Sequence, residues 1–308
     1  MRRLFQALGC SAFLVAGVPV SAAQGHADAL QLTNEARRMV VRGEVDTGIA
    51  QYRKALDLDP DLFEAHFGLG LALDLQLSFK EARKHLSKAL EIAPDDSTVQ
   101  VLNALAVSYA FEGDAREAAT FYEQVFDRHT NDENFGAAAA TANALGRVFL
   151  ETGDVDDARR WYETGYETAR RQPDTPASQL PLWEFRWVHA QGRIAARAGR
   201  FDEARAHVRA ARALVERHAT LKGDWPTWHY LAGYVELHAR QYGRAIDELQ
   251  MADGEDPFVL ALLAQAYEGA GNAARARETW TAVLKHTGHS LQNAFARPRA
   301  LRALQPSR

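Results

Sequence analysis

Seven copies of one short spacing pattern recur along the chain, and this repetition constrains the fold more than any other feature. In five copies a glycine is followed by a small residue five positions later. A large apolar or aromatic residue follows at nine positions and another compact residue at twelve. The glycines are Gly43, Gly113, Gly153, Gly199 and Gly271. Two further copies lack the glycine but keep the later positions, around Ala82 and Ala245.

The spacing within each copy predicts a helical hairpin. Steps of four and three residues keep side chains on one face of an α-helix. A glycine suits the left-handed conformation that ends the helix before it. A second small residue stands twelve positions before the first in every copy, as at Gly70 before Ala82 and Gly146 before Ala158. Small residues on both helices let their backbones approach closely, so each copy predicts two paired helices joined by a short turn.

This arrangement resembles the tetratricopeptide repeat family. Gly48 to Ala82, and Pro60 to Pro94, show the 34-residue period of that family. The resemblance covers about residues 29–285 and implies an all-α fold, a right-handed superhelical solenoid of about seven hairpins with a C-terminal capping helix. The early tryptophan of the family is missing from every unit. Units four and five are longer than the period, which predicts longer helices there.

The repeats also define the expected organisation of the chain. A repeat array is expected over residues 24–285, with a capping helix and tail over 286–308, where Leu291 to Leu304 form a helix interrupted by Pro298. Long connectors are expected at 128–134, 172–181 and 218–226, which are rich in Pro, Gly, Asn and Asp. The expected units span 29–60, 61–94, 99–130, 135–172, 180–218, 225–256 and 257–285.

The N-terminus has the pattern of an export signal. Arg2 and Arg3 precede an uncharged apolar run, and small residues follow it up to Ala23. We therefore expect a signal peptide over residues 1–23, cleaved after Ala23, and a periplasmic or secreted protein. An uncleaved N-terminal anchor is one alternative and would bring membrane contact; lipoprotein processing at Cys10, the only cysteine, is another.

The sequence offers little for catalysis, and we expect neither an enzyme nor a bound cofactor or metal. The formal net charge of −4 argues against a general nucleic-acid binder. His286 and His289 have no third ligand at a metal-site spacing. Asp57, Asp59 and Asp61 resemble the start of a calcium loop but lack its glycine and glutamate. No glycine-rich phosphate loop or serine-nucleophile motif is present.

The resemblance implies that the first helix of each hairpin lines a concave inner face, where ligands of the family usually lie. Arginine side chains suit carboxylates and tyrosines supply contact area. We therefore predict that this face binds an extended or carboxylate-bearing segment of a protein partner. The alternative is that these arginines are solvated or paired with neighbouring acids. The predicted partner-binding residues are Asn103, Asn143, Arg147, Arg186, His189, Arg193, Arg197, Tyr230 and Tyr234.

The predicted function is a protein–protein interaction scaffold or assembly adaptor in the bacterial cell envelope. One alternative is a regulatory subunit of an envelope enzyme complex. Another is a carbohydrate-binding solenoid that uses a tryptophan group, Trp183, Trp187, Trp225 and Trp228, as an exposed platform. Aromatic side chains more often pack in a core, which favours burial of that group.

Overall fold

The protein is a solenoid of helical hairpins in a computed structural model that describes residues 20–173 and 179–305. Within those ranges the chain forms α-helices and short 3-10 turns and has no β-strand. Successive helices pair as neighbours along the chain, and a single helix follows the last pair. The predicted all-α solenoid is thus confirmed. Residues 1–19, most of the predicted export signal, lie outside the described ranges.

The helices alternate between a first and a second helix of each hairpin. The first helices are α1 (Val20–Val41), α3 (Phe63–Leu75), α5 (Thr98–Glu112), α7 (Phe135–Thr152), α9 (Leu180–Arg197), α11 (Trp225–His238) and α13 (Pro257–Gly269). The second helices are α2 (Val45–Leu58), α4 (Phe79–Ile92), α6 (Ala115–Asn131), α8 (Val155–Ala169), α10 (Phe201–Arg217), α12 (Tyr242–Leu249) and α14 (Ala273–Val283). The closing helix is α15 (Leu291–Ala303), with Pro298 inside it.

The turn between paired helices has the backbone geometry that the glycines predict. All five repeat glycines have a positive φ, between 74° and 105°. The two copies without glycine adopt the same geometry with Leu77 (φ 60°) and Arg240 (φ 58°). The left-handed turn is therefore a property of the hairpin, and these two side chains accept a conformation that L-residues disfavour.

A polar residue after the glycine starts the second helix. Asp114 Oδ1 accepts a hydrogen bond from the backbone N–H of Glu117, and Asp154 Oδ1 accepts one from Asp157, each at 3.1 Å. These side chains satisfy N–H groups that have no partner within their own helix. A glycine followed by Asp or Asn thus ends one helix and begins the next.

Close helix contacts explain the columns of small residues. A methyl group placed on Gly70 would lie only 2.6 Å from Leu86 Cγ on the paired helix. Ala82 and Ala158, at the matching position of the second helix, are completely buried. The small side chains therefore set the distance between paired helices, as the spacing predicts.

Units four and five have the longer helices that their spacing predicts, since α7 and α9 each contain 18 residues and α3 contains 13. Two of the predicted connectors are shorter than expected. Helix α6 continues to Asn131, and its last turn carries Arg128 and His129, which suit the negative end of the helix dipole. Residues Ala219–Asp224 form a 3-10 helix that is anchored by the buried Leu221.

The last helix does more than cover the final repeat. Helix α15 packs on α13 and α14, and it also contacts α5 and α7, far earlier in the chain. Arg297 Nε donates to the carbonyl of Leu75 at 2.6 Å. His289 Nε2 lies 2.9 Å from Asp74 Oδ2, whose other oxygen accepts from Ser108 Oγ. The C-terminal segment thus crosses the inner face and closes the solenoid.

Candidate functional site

A cavity of about 450 Å³ lies on the inner face between α7, α9, α11 and the start of α15. Its wall comes mainly from first helices of the hairpins, the elements that the sequence places on the concave side. Six of the nine predicted partner-binding residues line it: Asn143, Arg147, Arg186, His189, Arg193 and Tyr230.

The other three predicted residues lie elsewhere. Asn103 is half-buried, and its Nδ2 donates to the carbonyl of Val99 at 3.0 Å within its own helix. Tyr234 is completely buried and donates to Glu151 Oε1 at 3.1 Å, so its hydroxyl forms a hydrogen bond inside the core. Arg197 is half-buried and does not belong to the lining.

Arg193 is the most unusual residue of the cavity. It is only 6% exposed. Its Nη2 donates to the hydroxyl of Tyr162 at 2.7 Å, and its Nη1 donates to that of Tyr230 at 3.3 Å. Its Nε has no hydrogen-bond partner among the described residues. A buried guanidinium is normally paired with a carboxylate, because an uncompensated buried charge is costly.

Two further arginines line the cavity, and each lies against an aromatic ring. The guanidinium carbon of Arg147 lies 4.6 Å from the ring centre of Phe258. That of Arg186 lies 4.7 Å from the ring centre of Trp183. The π-face attracts each cation but does not neutralise it. The side-chain Nε of Arg147 is also buried without a partner in the described part of the chain.

The cavity is lined by arginines that no carboxylate of the described residues contacts directly. Its lining contains no Asp or Glu, and none of the three arginines forms a direct ion pair within the described ranges. Two acids act at longer range, Asp224 on Arg186 and Glu151 on Arg193. Burial raises the pKa of Tyr162 to about 12 and also raises the pKa of Tyr230, so both phenols are neutral near pH 7. These arginines thus have nearby acids but no direct ion pair in the part of the chain that the structure describes, and their forked donors suit a carboxylate.

His189 adds a neutral polar group to the wall. Burial, together with the nearby charge of Arg193, holds its pKa well below the usual range of histidine. Its Nε2 is buried and forms no hydrogen bond among the described residues, although the Thr227 backbone lies close enough to act on the ring. The ring centre of His189 lies 5.1 Å from that of Tyr230. A neutral imidazole in this position can donate or accept one hydrogen bond to a ligand.

Several lining residues were not predicted from the sequence. Tyr122 and Tyr162 come from second helices, where the repeat spacing marks them as packing residues. Leu291 and Gln292 belong to the start of α15. Nothing in the repeat spacing indicates them, because α15 reaches the cavity through a tertiary contact that has no repeat equivalent.

The tryptophan group packs against the core rather than forming an exposed platform. Trp228 is buried, and its Nε1 donates to the carbonyl of Val208 at 2.9 Å. Trp187 is half-buried and stacks on Tyr166 at 5.8 Å between ring centres. Trp183 and Trp225 are half-buried as well. The four tryptophans therefore do not form the exposed aromatic platform that a glycan-binding surface would need.

His286 and His289, near the C-terminus, have different surroundings. His289 faces Asp74, and the carbonyl of His286 accepts from Asn293 Nδ2 at 3.0 Å. In the described ranges, no three or more His, Cys, Asp or Glu side chains are grouped as metal ligands. No helix in the same ranges has the length and apolar character needed to span a bilayer.

Comparison with known families agrees with the hairpin geometry. Sequence models described as tetratricopeptide repeat or TPR repeat match residues 39–76, 61–131, 97–171, 189–259 and 257–280. Together these matches cover well over half of the chain. The chain belongs to the tetratricopeptide repeat family. Proteins of this family are generally non-catalytic scaffolds that bind protein partners.

Individual relatives of this tetratricopeptide repeat protein are distant. The type IV pilus assembly protein PilF of Pseudomonas aeruginosa is 26% identical over 141 residues, which is 46% of this chain and 54% of that protein. A crystal structure of a tetratricopeptide repeat protein from Parabacteroides merdae aligns with a TM-score of 0.52 at 13% identity, covering 84% and 92% of the two chains. A P. aeruginosa PilF structure aligns with a TM-score of 0.44 at 17% identity, covering 74% and 90%.

Proposed function

We propose that this chain is an interaction scaffold or assembly adaptor of the bacterial cell envelope, and that it binds a protein partner through the inner cavity. In this proposal a carboxylate of the partner enters the cavity. It comes from an acidic side chain or from a chain end. The coarser part, a protein–protein interaction scaffold, follows from family membership.

The observation that carries this proposal is the buried Arg193, which contacts two tyrosines and no carboxylate of the described chain, supported by Arg147 and Arg186. Arginine binds a carboxylate through two parallel N–H groups, and hydrogen bonds to charged groups contribute about 1.5–3 kcal/mol each. Tyrosine and phenylalanine around the arginines supply apolar contact area. The cavity thus combines charge and apolar contact as a recognition site for an acidic group requires.

The envelope location is proposed from the N-terminal pattern of basic, apolar and small residues. The relative from P. aeruginosa carries the name of a type IV pilus assembly protein, which is consistent with an assembly role. The match spans about half of the length of that protein.

Site-specific photo-crosslinking in bacterial envelope extracts tests this function. A photoreactive amino acid replaces Ala140, an exposed alanine that lines the cavity. The matched control replaces Ala210, an exposed alanine on the second helix α10. We expect a partner that crosslinks at position 140 and not at 210. A partner that crosslinks only at 210, or no protein crosslinked at either position, would contradict the proposal.

A further inference from the structure

We propose that helix α15 completes the anion site, so that a carboxylate binds only while the C-terminal segment closes the solenoid. This inference rests on the proposed function of the cavity. It assigns to α15 a role in binding in addition to its role as a cap. The bound group would lie between the arginines of the repeats and the N-terminus of α15.

The first turn of α15 has backbone N–H groups that can donate hydrogen bonds. Leu291 and Gln292 line the cavity. Ser290 Oγ accepts from the N–H of Asn293 at 3.3 Å, and the Ser290 carbonyl accepts from Ala294 at 2.8 Å. The N–H groups of Leu291 and Gln292 are left without an acceptor inside the helix, because the first turn of an α-helix offers none. Such a terminus carries partial positive charge and attracts anions.

Independent evidence for a ligand comes from the opposite wall. Arg193 and His189 are each 6% exposed, line the cavity and have a buried nitrogen without a partner in the described ranges. Buried polar groups are nearly always hydrogen-bonded, so these atoms are available to a ligand group or a water inside the cavity. The arginine wall and the helix terminus therefore converge on one cavity from separate parts of the sequence.

The volume of the cavity limits the size of the ligand that it can hold. A volume of about 450 Å³ falls in the range of pockets for small organic ligands. Helix α15 crosses the inner face at α5 and α7, which prevents an extended segment from lying along the whole inner wall. The ligand is therefore one carboxylate with a short apolar body, placed against side chains such as Phe185 and Leu291. The body is the tip of the protein partner, either an acidic side chain or a chain end.

Contacts outside the cavity hold α15 in the closed position. His289 is paired with the buried Asp74, and Arg297 donates to the carbonyl of Leu75. Neither His289 nor Arg297 lines the cavity. Because closure and binding are coupled, a bound ligand stabilises the docked α15, and weakening these contacts lowers the affinity by at most the coupling factor.

Hippurate is a suitable probe, because it has one carboxylate and an aromatic body, and its uncharged amide is a matched control. Titration calorimetry on the full chain is expected to detect hippurate and not the amide. Amide hydrogen exchange in residues 289–303 is expected to slow when hippurate is bound. Arg193→Met is expected to abolish binding while α15 stays docked in the exchange pattern.

Two variants test the coupling. His289→Gln weakens the closed state without touching the cavity, and we expect a three- to fivefold loss of affinity, about the contribution of a helix terminus to anion binding. Gln292→Glu places an acid in the first turn of α15, where it suits the helix. It also repels the ligand, and we expect at least about a fivefold loss. Ala210→Glu is its control, because it adds the same charge at an exposed position of α10 outside the cavity, and it should bind within about twofold of the unmodified protein.

The outcomes separate this inference from the proposed function. If the unmodified protein does not distinguish hippurate from its amide, the cavity is not a carboxylate site and both proposals fail. If hippurate binds with equal affinity to the unmodified protein, His289→Gln and Gln292→Glu, the role of α15 is wrong and the arginine site stands. If His289→Gln does not fold, the result for Gln292→Glu decides the matter.

Discussion

His289 and Asp74 form a buried pair across the inner face of the solenoid, with Nε2 at 2.9 Å from Oδ2, although 215 positions separate them. Their side chains are 7% and 0% exposed. In an open repeat array each unit contacts only its neighbours. This pair therefore adds a long-range constraint that connects the end of the chain to its second and third hairpins.

Removing the pair should lower the stability of the whole array. In His289→Ala, the carboxylate of Asp74 loses a buried partner, which costs about 1–3 kcal/mol of unfolding free energy. Urea denaturation followed by circular dichroism measures the change. His286→Ala is the control, because the His286 side chain is only half-buried and forms no hydrogen bond or ion pair in the described structure. Equal stability of the two variants would show that the pair contributes nothing.

The left-handed turn predicts a stabilising substitution. Arg240 has φ 58°, and its side chain is exposed. Arg240→Gly should relieve that conformation and raise the unfolding free energy by about 1 kcal/mol. The converse variant is Gly113→Ala, at φ 87° with open space around it, which should lower stability by a similar amount. Thermal denaturation of both variants checks the opposite signs, and a destabilised Arg240→Gly would contradict this explanation.

The close approach of paired helices predicts a clash at Gly70. The added methyl of Gly70→Ala would meet Leu86, which is completely buried and has no room to move. We expect a loss of about 1–3 kcal/mol in unfolding free energy.

A glycine without close neighbours provides the control for this clash. Gly243 lies in α12 with no atom within 4 Å of an added methyl. Gly243→Ala should therefore be neutral or stabilising, by up to about 1 kcal/mol, since alanine favours helices. If both alanine variants have the same stability, packing does not explain the small-residue column.

Burial of His189 predicts a dependence of stability on pH. Its pKa is held well below the usual value in the folded protein, so the folded state binds fewer protons than the unfolded state in mildly acidic solution. Stability should therefore fall as the pH drops below about 6.5, the ordinary pKa of histidine. Other groups titrate there as well, so the measured quantity is the difference between the protein and His189→Gln. We expect a shallower loss between pH 6.5 and 5 in the variant. Parallel curves would contradict the neutral state of His189.

The repeat spacing predicted most of the fold, because the contacts that define each hairpin involve residues that are close in the sequence. The positions of Gly113, Ala118 and Tyr122 encode a turn, a close helix contact and a filled gap, all within ten residues. These relationships recur in each unit, so the sequence alone predicts paired helices and their order. The long helices α7 and α9 follow from the same spacing.

The cavity was predictable only in part. Arg186, His189 and Arg193 share one face of α9, and helical periodicity places them together. The complete burial of Tyr234 was not foreseen, because its partner Glu151 lies two hairpins earlier in the chain. The contribution of Gln292 was also missed, since it depends on how far the solenoid curves. Curvature is the sum of small rotations between units, and a spacing pattern does not determine it.

The most direct test of a carboxylate-binding inner cavity is the amount of protein partner that two variants retain. Arg147→Met with Arg193→Met removes two cavity charges, and Arg209→Met with Arg217→Met removes two exposed charges from α10. Both variants are first shown to fold, and retained partner from envelope extracts is quantified by mass spectrometry. We predict at least about a tenfold loss for the cavity variant, the equivalent of one charged hydrogen bond, and no loss for the α10 variant. Full retention by the cavity variant would contradict the account.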